Sequence, residues 1–418
     1  MSDATSTEDE KPGLTPGMLF VLAIIFIDTV SFGIIIPVMP DLLTDLTGQP
    51  VEKAAVEGGI LMIAFALTLF LCAPLIGGLS DRFGRRPLML ASMAAFTIDY
   101  IIMGLAQSYE MLLIGRVVAG VAGGVYATAN AYIADISTHE NRARNFGIIG
   151  AAWGIGFVTG PAIGGLLGEL GPRVPFFVAA GFCALNFVYG YFVVPESLAP
   201  ENRRPFDIKR ANPLGSLLAL KRFPMLLGLF GVMALFQVGH DVNPTIWTYY
   251  TKYKFGWGPG EIGWSLAIVG ITIAVVQSML TGRLVARFGE YRTAQIGLTL
   301  GACGFLAVAF APSSFWMYCA IPLSGMFALA SPTIRAIMAN QVGEDQQGEL
   351  SGALSSLFSL SMLLTPLVMP ALFEFFTSAA APVHFPGIGH FSGAILFVLA
   401  LLAFIVAGRG KSLNASDG

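Results

Sequence analysis

The sequence predicts an all-α membrane protein of twelve transmembrane helices arranged as two pseudo-symmetric six-helix halves. Three observations predict it. Hydrophobic residues make up 55 % of the 418-residue chain and charged residues only 12 %, with a mean hydropathy of +0.73, beyond what soluble domains carry. Apolar runs long enough for the roughly 30 Å bilayer core, which takes about 20 helical residues, recur twelve times. Matching residues also return at one fixed offset along the chain.

Breaks at charged, Pro and Gly residues place the runs near 17–39, 58–79, 87–106, 109–134, 143–168, 174–194, 223–250, 260–282, 293–311, 314–340, 348–377 and 388–408. The first is too long for a signal-peptide core, follows an acidic tail (Asp3, Glu8, Asp9, Glu10) and lacks a small-residue cleavage site, so it is retained as a helix. An even number of spans puts both termini on one side. That side carries seventeen Lys and Arg residues, including Lys11, Lys209, Arg210, Lys221 and Lys411, against Lys53, Arg173, Lys252 and Lys254 on the other. The positive-inside rule makes both termini cytoplasmic. The polar, basic connection between Pro195 and Arg222 divides the spans six and six. The expected division is a cytoplasmic tail 1–16, an N-terminal half 17–194, a cytoplasmic linker 195–222, a C-terminal half 223–408 and a cytoplasmic tail 409–418.

The halves repeat at an offset of 205 residues: Arg82-Phe83-Gly84 answers Arg287-Phe288-Gly289, and Gly120, Asp135, Gly147 and Pro161 answer Gly325, Asn340, Gly352 and Pro366. Parallel six-helix repeats with a site between them at the membrane midplane are one transporter architecture. Other classes are excluded or disfavoured. A net charge of −3 without a basic run excludes a nucleic-acid surface. Cys72, Cys183, Cys303 and Cys319 sit in apolar stretches without metal or disulfide spacing and read as small buried hydrophobes.

Charge inside the spans marks the candidate site, because an ionisable group in hydrocarbon is costly. Asp28 lies in span one, Asp99 in span three and Arg116 in span four; His240 and Asp241 are adjacent in span seven and Arg335 lies in span ten. Burial favours the neutral form of a carboxyl, as a proton carrier requires, and a nearby cation favours the ionised form. Histidine titrates near neutral pH. His240 and Asp241 should point about 100° apart on a helix, so only one is expected to face a cavity fully. Gly156, Gly160, Gly164 and Gly168 line one face of span five, with Pro161 permitting a bend. Asn130, Gln237, Asn243, Gln277 and Trp247 are candidate cavity-lining residues.

Several motifs carry a family resemblance. "GGLSDRFGRRP", "LIGRVVAGVAGG" and "GAAWGIGFVTGPAIGG" resemble signatures of the major facilitator superfamily, the last one that of its drug/proton antiporters. "IDTVSFGIIIPVMPDLL", "TIDYIIMGLA" and "ANAYIADIS" narrow the likeness to tetracycline/proton antiporters. The resemblance implies the major facilitator fold and proton-coupled export by alternating access, with Asp28, Asp99 and Arg116 in proton coupling or substrate handling. It implies a latch that holds the cytoplasmic side in the outward-facing state, in which Arg85 pairs with Asp135, Arg86 lies alongside, and Asp81 lies near the cytoplasmic end of a second-half helix. It also implies a monomer in the inner membrane with no cofactor or metal, whose partners are lipid, protons and a small amphipathic substrate.

The second half departs from the pattern. Span nine of the family carries an acid, but Gly301 stands about there, and the span-eight histidine is missing, with only Gln277 on offer. His240, Asp241 and Arg335 are the residues present in exchange. The reading is therefore a multidrug-type efflux antiporter, not an enzyme. An exporter of an endogenous metabolite or sugar, and an uptake symporter of the same fold, are the alternatives.

Overall fold

The computed structural model describes residues 16–138, 141–206, 222–343 and 346–409. Most of the expected tails, much of the linker, and Lys11, Lys209, Arg210, Lys221 and Lys411 lie outside the described residues. With no water in the bilayer core, a spanning chain must satisfy its backbone polar groups internally, and helices do this. The first half comprises α1 (Gly17–Thr47), α2 (Val51–Phe83), α3 (Arg85–Leu105), α4 (Tyr109–Ile136), α5 (Arg142–Gly168) and α6 (Val174–Val193). In the second half α7 is Leu227–Phe255.

Next comes one helical stretch, Pro259–Phe310, of 52 residues. At about 1.5 Å per residue it is long enough to cross a bilayer twice. Gly289 breaks it with φ 76° and ψ 166°, where the sequence places a loop, so its parts are labelled α8 (259–288) and α9 (290–310). The second half ends with α10 (Ser314–Ala339), α11 (Gln347–Thr377) and α12 (Ile388–Arg409). Helix α2 starts at Val51, earlier than the apolar run, because Glu52, Lys53 and Glu57 ride on a helix end that continues past the hydrocarbon window.

The repeat is visible in the backbone. Gly84, the counterpart of Gly289, turns the chain between α2 and α3 with φ 105° and ψ 161°, a conformation that glycine adopts without a Cβ penalty. Helix α4 is interrupted at Gly123–Gly124 and α10 by a 3-10 turn over Gly325–Leu329.

The halves meet through two repeat-related seams, α5 on α8 and α2 on α11. In each, a proline carbonyl of one helix presses on a glycine of the other. A Cβ on Gly263 would lie 2.5 Å from the Pro161 oxygen, and one on Gly59 would lie 2.5 Å from the Pro366 oxygen. Near these seams Lys252 at the end of α7 forms an ion pair with Asp41 of α1, across the halves. The Tyr249 hydroxyl fills the place of a Cβ on Gly58. All of this lies toward the face opposite the basic loops. Toward the basic face α2 and α11 diverge around a cavity of about 510 Å³, lined on one side by Leu69, Phe70 and Pro74 and on the other by Ser355, Ser356 and Ser359.

Candidate functional site

In the first half, α3 and α4 bury one ion pair. Asp99 is completely buried, and Arg116 Nη2 donates to its Oδ2 at 2.5 Å. The guanidinium also contacts Met103 Sδ at 2.7 Å and lies 6.0 Å from the centre of the Phe65 ring. Gly115 makes room: a Cβ there would stand 2.7 Å from Asp99 Oδ1. Oδ1 itself and Arg116 Nε have no hydrogen-bond partner among the described residues, so the carboxylate keeps one oxygen available to take a proton. Asp28 of α1 is partly buried and has no hydrogen-bonding partner among the described residues. Tyr100 of α3 and Cys183 of α6 lie within electrostatic reach of both aspartates.

The charge knot on the basic face closes on itself. Arg85, only 8 % exposed, pairs with Asp81, donates to Ser80 Oγ at 2.7 Å and reaches Asp135 Oδ2 at 3.3 Å. Glu196, which the sequence reading passed over, anchors it. Its carboxylate accepts the backbone N–H of Arg85 at 2.8 Å and of Arg86 at 3.2 Å, the first donors of α3, where the helix dipole favours an anion. Arg86 Nη2 donates to the Tyr191 carbonyl at 2.7 Å. A Cβ on Gly84 would collide with Glu196. Asp81 makes no second-half hydrogen bond or ion pair among the described residues, so a latch between Asp81 and the second half is not engaged in this state. In the second half Asn340 Nδ2 donates to Glu290 Oε2 at 3.4 Å, replacing the Asp135–Arg85 pair at the equivalent positions.

In the second half, α7 gathers a buried polar cluster. Asp241 Oδ1 accepts from Gln237 Nε2 and lies against His240 Nδ1, both at 2.9 Å, while Oδ2 accepts from Ser361 Oγ of α11 at 2.6 Å. The two neighbours thus bond to each other, where helical geometry alone suggested divergence. His390 of α12, also passed over, holds Asn243 Oδ1 at 3.0 Å, and Trp247 Nε1 donates to Ser265 Oγ at 2.9 Å.

These contacts set the candidate cavity-lining residues apart from the cavity between α2, α4 and α11. Gln237, Asn243 and Trp247 are buried with partners inside their own half, as buried polar groups must be. Asn130 Nδ2 donates to the Tyr126 carbonyl of its own helix. Gln277, in a π-turn over Val276–Leu280, and Arg335 are exposed. None of these six lines the cavity between α2, α4 and α11; Tyr126 does. The glycine face of α5 divides its work. Gly156, Gly160 and Gly164 pack on Thr29, Val30 and Ile34 of α1, within one half, whereas the Pro161 carbonyl and Gly165 meet α8 across the halves.

The chain matches the sequence profile of the Major Facilitator Superfamily over residues 21–251 and 239–417. It is 36 % identical over 386 residues to the class C tetracycline resistance protein of Escherichia coli, covering 92 % of this chain and 96 % of that protein. Multidrug resistance protein 2 of Bacillus subtilis (strain 168) is 30 % identical over 396 residues, covering 91 % of this chain and 92 % of its own length. The fold is similar to the crystal structure of the nucleoside transporter NupG, with a TM-score of 0.77 at 12 % identity over 94 % of this chain and 99 % of that one.

Proposed function

The chain belongs to the Major Facilitator Superfamily, and on that premise we propose that it is a proton-coupled exporter of amphipathic drug-like molecules, tetracycline-like compounds among them. The observation that carries this reading is the free oxygen of Asp99, fully buried beside Arg116 in the first half of a transporter whose relatives confer drug resistance. A proton on that carboxylate cancels the negative charge that a cationic group of the substrate would otherwise meet there, so protonation and a bound substrate compete for the same charge.

Both termini face the cytoplasm and the protein works as a monomer in a bacterial inner membrane without a cofactor. The halves then stand open inward, and the cavity presents an apolar wall to one side of a substrate and serines to the other. Drug loads from the cytoplasm, the halves rock, and protons entering from outside reset the cycle through Asp28 and Asp99. A potential of about 100 mV supplies about 2.3 kcal/mol per charge, so one proton per cycle sustains a drug gradient of about fifty-fold.

The test is accumulation of tetracycline and a panel of amphipathic compounds in a susceptible host, with and without an uncoupler. Wild type lowers accumulation, while the uncoupler, Asp28→Asn or Asp99→Asn restores it. Export that survives the uncoupler and both substitutions refutes proton antiport. In proteoliposomes, substrate moving in the same direction as an imposed proton gradient selects the symporter instead.

A further inference from the structure

Asp241 lies buried in the middle of α7, and its oxygens accept from Gln237 and Ser361 and touch the His240 imidazole. No Lys or Arg pairs with it among the described residues. A buried carboxylate held by neutral donors and one imidazole has no fixed cation opposing its protonation. The imidazole is the accessible end of this chain: the His240 side chain is 33 % exposed against 8 % for Asp241. Its ring meets Phe327 of α10 edge-on at 5.1 Å. Phe327 also closes the span-nine position, since a Cβ on Gly301 would stand 2.9 Å from that of Phe327. An acid on α9 has no room there, and the polar chemistry of this half sits on α7.

Behind the carboxylate the chain leads to the seam between the halves. Ser361 Oγ lies 3.4 Å from Thr365 Oγ1, and Thr365 precedes Pro366, whose carbonyl presses on Gly59. We infer that His240, Asp241 and Ser361 form a second proton-binding site, in which His240 receives the proton, Asp241 holds it, and Ser361 conveys the change to the α2–α11 seam. The inference rests on the proton-coupled reading above. A proton added at His240 Nε2 releases the Nδ1 proton to Asp241 Oδ1, which leaves a neutral imidazole and a neutral carboxyl. Asp241 then no longer holds Ser361 with a full charge. The hydroxyl turns toward Thr365, and α11 is freed to move against α2.

Titratable groups on the neighbouring helices are engaged elsewhere or stand apart. His390 of α12 bonds to Asn243, Glu349 of α11 pairs with Arg222, and Glu57 of α2 and Glu374 of α11 lie toward the opposite face. Arg335 of α10 is exposed and unbonded among the described residues.

The test needs no drug. Spin labels at Gly77→Cys on α2 and Gly348→Cys on α11, where an added Cβ meets nothing within 4 Å, report the opening of the basic face. The full-length protein is used in lipid nanodiscs, with Cys72, Cys183, Cys303 and Cys319 replaced. The wild-type distance distribution changes with pH. Asp241→Asn holds the low-pH distribution throughout, and Ser361→Ala moves the midpoint to higher pH by about one unit, the worth of one hydrogen bond to a charged group. The inference is overturned if the wild-type distribution ignores pH, or if Asp241→Asn and Ser361→Ala both titrate like wild type. Since no substrate enters, a failure of drug export leaves this result intact.

Discussion

Alanine at Gly59 or Gly263 should drive the protein away from the state seen here. Each new Cβ would stand 2.5 Å from a proline carbonyl oxygen of the other half, whereas C–H···O contacts settle at about 3.3–3.6 Å. Backbone on both sides leaves no flexible side chain to give way. Overpacking of this kind costs about 1–3 kcal/mol. The cost falls only on the state in which the seam is closed, so the conformational equilibrium shifts about 5-fold to 150-fold per substitution. The two seams involve different helices, and the double variant should approach the sum of the single effects. Spin labels at Gln49→Cys and Ser313→Cys, both exposed on the face opposite the basic loops, would show the longer-distance population growing in that order. Gly164→Ala is the control. Its Cβ would strike the Ile34 carbonyl within the same half, so it lowers thermal stability without moving the distribution. If Gly59→Ala and Gly263→Ala leave the distances unchanged, or Gly164→Ala shifts them equally, the seams do not hold this state closed.

Asp99→Asn strands the Arg116 guanidinium in a buried site, and a loss of about 3–5 kcal/mol is expected. Thermal unfolding in detergent should show Asp99→Asn with Arg116→Gln recovering part of that loss, whereas strict additivity would mean that the two side chains act independently. Glu196→Gln removes the anion at the start of α3 and should cost about 0.5–2 kcal/mol. Gly84→Ala, which adds a Cβ at φ 105° against Glu196, should cost more by the same assay, and equal melting temperatures would discount the cap.

Helices were the most legible part of the sequence because hydrocarbon thickness and backbone hydrogen bonding leave little choice. The offset of 205 and the turn glycines Gly84 and Gly289 were likewise readable, since each is carried by particular residue types at fixed positions. The costly charges inside spans, Asp28, Asp99, Arg116 and Asp241, stood out for the same reason. Partners did not. Glu196 was invisible because it lies more than a hundred positions from the N–H groups it accepts. Ser361 and His390 looked like ordinary residues of apolar runs until α11 and α12 brought them to α7.

What the sequence determined alone was membrane class, spans, repeat and which residues carry charge into the bilayer, all properties of single segments measured against one solvent. Tertiary structure decided which glycines face another half and which face their own, whether a polar side chain lines a cavity or fills a hydrogen bond, and which face is closed. Those outcomes depend on how helices distant in sequence pack against one another. A proline carbonyl meeting a glycine across the seam leaves no periodic trace in either helix.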